Sequence, residues 1–245
     1  MIYARKSDEM EQTLEEHIKE CLKAFEDLKG TKLRKIFERE EVAKLAIVFH
    51  DSGKIFYQRN FRNGKLSFPG HEVLSALVFG EFAWEYEKAS NQSLDALLCL
   101  AAILYHHHAM DLRKRIEWIG EGNFVIAKSK EELEKILDEH AKIVKKFLPD
   151  SMNCEAVERA LQKTNDLICR IVRSSDKGVH LSVRDVSERV GEENRKIWEE
   201  FQKSREFRRQ MLGLATLLLV VDYLGVGSEN PTGFGRVVKE FAELY

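Results

Sequence analysis

Apolar residues recur at Leu14, Ile18, Cys21, Leu22, Phe25 and Leu28 with acids on the other face, a spacing that predicts an amphipathic first helix. A second helix is predicted over about 32–49. It carries Leu33, Ile36 and Phe37 and closes on the unbroken apolar run Leu45-Ala46-Ile47-Val48-Phe49. From Ile55 to Phe68 the helical period vanishes and aromatic and basic residues take turns. Asn63-Gly64 between two such runs predicts a β-hairpin. Pro69-Gly70 then opens a third helix, from His71 to about 89. Ser93 is expected to cap a fourth, whose apolar body spans 97–104. A short strand or hairpin is expected over 120–126, and helices over about 130–147 and 154–173, the second of them ending at Ser174-Ser175-Asp176. A heavily charged helix is predicted over 184–209, then an apolar run from 211 to 224, a loop over 225–235 and a short terminal helix. The expected fold is all-α, a helical bundle with one or two short β-hairpins. The expected domain is a single one over 1–245, with a core of about 1–180 completed by a helical part of about 181–245.

Composition narrows this picture. A chain of 245 residues with 44% hydrophobic content can bury a sizeable core, and three prolines with 33% charged residues suit helices. The run 211–224 is shorter than the ~20 residues that cross a bilayer and contains Asp222, so no membrane partner is expected. Cys21, Cys99, Cys154 and Cys169 show no CxxC spacing, and no charged-then-apolar leader opens the chain. Reduced core thiols in a cytoplasmic protein are the expectation. Net charge is −2, so a nucleic-acid surface would be a local patch.

The chemistry concentrates where the second helix ends, at His50-Asp51-Ser52-Gly53-Lys54. A buried carboxylate costs several kcal/mol unless a cation or metal partners it. His50 offers a neighbouring ligand atom, and Lys54 stands where a phosphate could be held. Six of the eight histidines lie in the first half of the chain: His17, His50, His71, and His106-His107-His108 in a row. Imidazole is the commonest metal ligand, and a helix that ends there would let adjacent rings aim at one centre. Between these positions, Arg59, Arg62 and Lys65 alternate with Phe56, Tyr57, Phe61 and Phe68. Single-strand binders stack bases on such aromatics and follow phosphates with such cations. Arg113-Lys114-Arg115 is a second basic cluster, and His140 is read as lying on a charged face without a role.

The order His17, His50-Asp51-x-Gly53-Lys54, Gly70-His71-Glu72, the histidine run and a late aspartate resembles the HD phosphohydrolase superfamily. Within it the chain is most similar to the stand-alone HD nuclease subunit of type I CRISPR interference. That resemblance implies an HD-domain bundle with two divalent ions (Mn, Ni, Co, Fe, Zn or Mg) held by His17, His50, Asp51, His71, a histidine pair and the late aspartate. The pair is His106 and His107, or is one residue later and includes His108. The late aspartate is Asp222 or Asp176. Burial favours Asp222, which stands among leucines and valines, whereas Asp176 could simply end a helix. Asp51 and Lys54 would be catalytic, and the substrate would be single-stranded DNA. The implied partners are a separate helicase subunit and a CRISPR ribonucleoprotein complex. An HD phosphohydrolase of nucleotides or cyclic nucleotides, and a non-catalytic helical module, are the alternatives.

Overall fold

The computed structural model describes residues 1–8, 10–107, 112–121, 125–226, 237–238 and 242. Their architecture is all-α with short hairpins, as the apolar spacing predicts. The helices are α1 (Leu14–Asp27), α2 (Glu40–Phe49), α3 (His71–Ser90), α4 (Ala96–Tyr105), α5 (Leu112–Glu121), α6 (Lys130–Phe147), α7 (Cys154–Arg170), α8 (Val183–Lys203) and α9 (Arg205–Leu224). Three antiparallel pairs accompany them among the described residues: β1 (Tyr3–Lys6) with β2 (Glu11–Thr13), β3 (Phe61–Arg62) with β4 (Lys65–Leu66), and β5 (Val172–Ser175) with β6 (Gly178–Leu181).

Helix α3 is the axis of the bundle. Its residues 71–79 are all buried, and it packs against α7, α4 and the 3-10 helix Ser52–Tyr57. Fully burying a side chain such as Leu74, Phe79 or Phe82 contributes roughly 1.5–3 kcal/mol, so this helix anchors everything laid against it. Phe49, the last residue of α2, sits on it with its ring 5.3 Å from Phe79 and 4.7 Å from Phe82. That contact fixes where α2 ends and therefore where His50 and Asp51 begin. Helix α9 closes the other side, against α4 and α1.

Local chemistry sets the boundaries that apolar spacing left loose. Thr13 starts α1 through a capping box with Glu16. The predicted second helix divides into a single 3-10 turn at Arg34–Ile36 and α2 proper, with extended backbone at Phe37 between them. Helix α4 begins at a left-handed Asp95, not at a Ser93 cap. Helix α7 stops at Arg170, so Ser174, Ser175 and Asp176 belong to the β5–β6 hairpin and not to a helix end. The charged helix stops at Lys203 because Ser204 leaves helical geometry and caps α9, accepting from the Phe207 amide at 3.0 Å. Gly120 and Glu121 continue α5 where a strand is predicted; 122–124 lie outside the described residues, and Ala127 bridges Val179. The predicted 225–235 loop and terminal helix lie almost wholly outside the described residues. The Asn63-Gly64 hairpin forms as predicted, with φ of 50° and 74° at its two turn residues. No described helix is long and apolar enough to cross a membrane.

Candidate metal centre

His50 and Asp51 follow α2 directly. His50 is still helical, whereas Asp51 turns out of the helix at φ −106°, ψ 7°. The short helix from Ser52 then lies flat on the first turns of α3. Gly53 is required by that close approach rather than by a left-handed turn: a Cβ there would stand 2.1 Å from the His71 carbonyl oxygen. Its amide donates to Ser75 Oγ at 2.8 Å. Ser52 Oγ is 2.9 Å from His140 Nε2, so α6 braces the same turn from behind. Asp51 is thereby held between α1, α3 and α9.

The imidazoles reach it from four helices or helix ends. His17 comes from α1, His50 from the end of α2 and His71 from the start of α3. His106 and His107 come from the end of α4, whose helix stops at Tyr105 and so lets both rings turn inward, 4.0 Å apart. One local device repeats three times. His50, His71 and His106 each place Nδ1 at 2.7, 2.8 and 2.7 Å from the carbonyl oxygen three residues earlier, of Ile47, Phe68 and Ile103. A carbonyl only accepts, so Nδ1 carries the proton and Nε2 is the atom aimed into the centre. Carbonyl-bound Nδ1–H is also how protein-held metals orient their histidines.

Asp222 is the late carboxylate that joins them. Its Oδ1 is 3.0 Å from His17 Nε2 and 3.6 Å from His50 Nε2, and its Oδ2 is 3.8 Å from His107 Nε2. Asp176 is exposed on the β5–β6 hairpin and takes no part. Asp51 spans the cluster: Oδ2 is 3.1 Å from His17 Nε2 and accepts from Lys54 Nζ at 2.5 Å, while Oδ1 is 3.1 Å from His71 Nε2. His108 lies outside the described residues.

These donors fall into two groups, each with its ligand atoms within 4.8 Å of one another: His17, Cys21, His50 and Asp222, and Asp51, His71, His106 and His107. The residues fit metal ions on an observation independent of any resemblance. His50 Nε2, Asp51 Oδ1 and His106 Nε2 are buried with no hydrogen-bond partner among the described residues. Each such atom costs about 1–3 kcal/mol if left unsatisfied. An imidazole lone pair facing a carboxylate oxygen is repulsive until a cation lies between them. The buried groups can therefore hold metal ions, as an HD-type hydrolase centre requires.

The charges point the same way. Burial opposes ionisation of Asp51, but Lys54, His50 and the adjacent His17 and His71 rings outweigh it and hold the carboxyl well below the usual range. Burial likewise opposes the charge on Asp222, and the His17 and His50 rings beside it override that cost and hold the carboxyl well below the usual range. Burial pushes down His106, and pushes His107 down to about 3, with neighbouring imidazoles adding to the effect. Those two rings are neutral at ordinary pH, the form in which imidazole can accept a metal. Burial also disfavours the charge on His17, but Cys21 and the Asp222 and Asp51 carboxylates raise it well above its usual value. Burial keeps Cys21 a thiol, so the carboxylates are the partners that act near neutrality.

Comparison with protein-family models, curated proteins and solved structures finds no match. The centre therefore stands on its own geometry.

The remaining predicted positions separate. Lys54 is buried beside Asp51, with Nζ 5.3 Å above the Phe68 ring, and Phe68 lies 6.4 Å from His71. The β3–β4 hairpin thus enters the centre through Phe68. Arg62 and Lys65 are exposed on it, whereas Arg59 is held by Glu132 of α6 at 2.6 Å. Phe56 and Tyr57 are core residues and present no face to a base. The broad cleft of about 560 Å³ beside Arg39, Leu45, Tyr86 and Met152 contains none of these histidines and aspartates.

Three buried side chains at or beside the centre have surroundings that the sequence did not disclose. Cys21 follows His17 by four residues and shares its helix face. His140, read above as lying on a charged face, is buried: Leu133, Leu137, His140 and Val144 recur at spacings of 4, 3 and 4 and form the inner stripe of α6. Glu72 is buried with Arg115 Nε 3.1 Å from its Oε1, which ties α5 to the first turn of α3.

Proposed function

We propose that this chain is a metal-dependent nuclease of the HD phosphohydrolase superfamily that hydrolyses phosphodiester bonds of single-stranded DNA. On this reading it is the separate nuclease subunit of type I CRISPR interference, working with a helicase subunit and a CRISPR ribonucleoprotein complex. The observation that carries the reading is Asp51: one buried carboxylate facing two donor groups, with partnerless ring and carboxylate atoms around it and a buried lysine on its free side. The resemblance of the motif order to that family supplies the substrate and partners.

Two bound divalent ions would supply an acidified water and a Lewis acid for in-line displacement at phosphorus. The donor set of imidazole with carboxylate suits Mn, Fe, Co, Ni or Zn better than Mg. His17, His50 and Asp222 would hold one ion and His71, His106 and His107 the other, with Asp51 facing both. Lys54 would turn from Asp51 to the phosphoryl oxygens and stabilise the charge growing there. Phe68 excludes water from one side of Lys54 and offers a ring edge to the substrate. Arg62 and Lys65 would follow the backbone of the strand.

The test is cleavage by metal-stripped protein with Mn, Ni, Zn or Mg restored. The panel is end-labelled single-stranded DNA, duplex DNA, single-stranded RNA and nucleotides. Metal-dependent shortening of single-stranded DNA is expected, with nucleotides intact. Phosphate release from nucleotides with DNA intact would leave the metal centre standing and overturn the nuclease assignment.

A further inference from the structure

Cys21 occupies a position in the centre that a packing role does not explain. It stands one helical turn after His17 on the same face of α1, fully buried, with Sγ 3.6 Å from His17 Nε2. Its Sγ lies within 4.8 Å of the donor atoms of His17, His50 and Asp222. A tetrahedral ion with sulfur at about 2.3 Å and nitrogen at about 2.1 Å sets those two donors about 3.6 Å apart. The observed separation matches two ligands of one ion as well as it matches an S–H···N hydrogen bond. A second observation points to the same ion: His50 Nε2 is buried, aimed into this group and without a hydrogen-bond partner among the described residues. The plain alternative is a core thiol filling space against Gly225, where a Cβ would meet Sγ at 2.5 Å.

We propose that Cys21 is a thiolate ligand of the ion held by His17, His50 and Asp222. This rests on the metal-centre reading given above and deepens it. As the metal–sulfur bond forms, the thiol proton leaves to solvent and both bonding electrons come from sulfur. A thiolate is a soft ligand, so it biases this half toward Zn, Fe(II) or Co and against Mg and Mn. The other half, with imidazoles and a carboxylate only, lacks that bias. The two ions are therefore of unequal exchangeability, and the chain can hold one borderline metal tightly while a different ion enters beside it.

Cobalt reports the ligand directly. The chain with Cys154→Ser and Cys169→Ser removes the exposed and half-buried thiols and leaves Cys21 and the distant Cys99, whose Sγ faces the Val42 carbonyl. Loaded with Co(II), it is expected to show an intense near-ultraviolet sulfur-to-cobalt charge-transfer band along with the weaker visible bands. Adding Cys21→Ser should abolish the ultraviolet band, keep visible bands from bound cobalt, and weaken zinc binding at one site by at least about tenfold. X-ray absorption of the zinc-loaded protein needs no variant at position 21 and should show sulfur at about 2.3 Å. Cobalt bound with visible bands but no charge transfer, and zinc with no sulfur neighbour, would overturn the ligand assignment while leaving the metal centre intact. No bound cobalt or zinc at all would overturn both.

Discussion

The two donor groups use similar side chains in different surroundings. The group of His17, Cys21, His50 and Asp222 is closed on every side, none of its members more than 5% exposed. The group of Asp51, His71, His106 and His107 is shallower: His107 keeps 22% of its side chain open, and His71 borders Phe68 and the hairpin. Closed protein-ligated sites retain their ion, while catalytic ones keep a position open for water or substrate. Under the proposed reading, the first group holds an ion that organises Asp51 and the second faces the phosphate. Lys54, buried beside Phe68, is paired with Asp51, the one carboxylate that faces both groups.

That sharing is the first thing to break. Asp51→Asn keeps the shape and removes the charge facing both groups. Hydrolysis is expected to fall by at least about a thousandfold, since one preorganised donor alone is worth roughly 10²–10³. Metal analysis should find less than one ion per chain. Two ions retained with full turnover would mean that Asp51 joins nothing. Asp222→Ala attacks only the closed half. It should lose one ion and cost about a hundredfold or more, whereas Asp176→Ala, on an exposed hairpin, should leave metal content and turnover unchanged.

What the sequence disclosed follows the same division. Most helices with an apolar stripe were legible, because burial in the bundle enforces the 3.6-residue period, but α5 was hidden: its basic run Arg113-Lys114-Arg115 read as a charged cluster rather than as a helix. His50 and Asp51 were legible because a long apolar run ends on them. That Asp222 is the buried one of the two late aspartates was legible from its leucine and valine neighbours. Cys21 and His140 were hidden by ordinary stripes: each occupies an apolar position where a thiol or ring reads as filler until the facing helix is known. Ser204, Asp95 and the β5–β6 hairpin were missed because one residue's cap or turn geometry overrode a charged or apolar pattern that ran straight through it. Gly53 was legible as a glycine but not for its reason, which is the carbonyl of His71 across the gap.

Smaller effects sharpen the contrast between the halves. Lys54→Met should reduce turnover by about a hundredfold with both ions retained, because it removes the charge beside Asp51 and no ligand; loss of metal in that variant would make Lys54 structural. His140 tests the brace behind Ser52. Burial alone pushes its imidazole down to about 4, below the ordinary 6.5. The unfolded chain therefore takes up this proton first as pH falls, so the contribution is present above pH 6.5 and is lost between 6.5 and 4. Between pH 7 and pH 5 that amounts to about 2 kcal/mol. His140→Gln, which keeps a polar group toward Ser52 and cannot titrate, should flatten the pH dependence of the metal-free chain by that amount in urea unfolding. An unchanged slope would show that His140 is not the group being protonated.

The smallest effect is expected on the β3–β4 hairpin. Arg62 and Lys65 flank the Asn63-Gly64 turn and are exposed, whereas Arg59 is already paired with Glu132. Only the first two are free of a carboxylate partner among the described ion pairs, so they carry the predicted backbone contacts. Replacing both by Ala should weaken single-stranded DNA binding severalfold and reduce the slope of log K against log salt by about 1.4, at about 0.7 per phosphate contact. Metal content should not move. Replacing Arg59 alone should leave the salt slope nearly unchanged, because its guanidinium would have to leave Glu132 before it met a phosphate. If Arg59→Ala lowers the slope as much as the double variant does, the ion pair opens on binding and the strand runs along α6 as well as the hairpin.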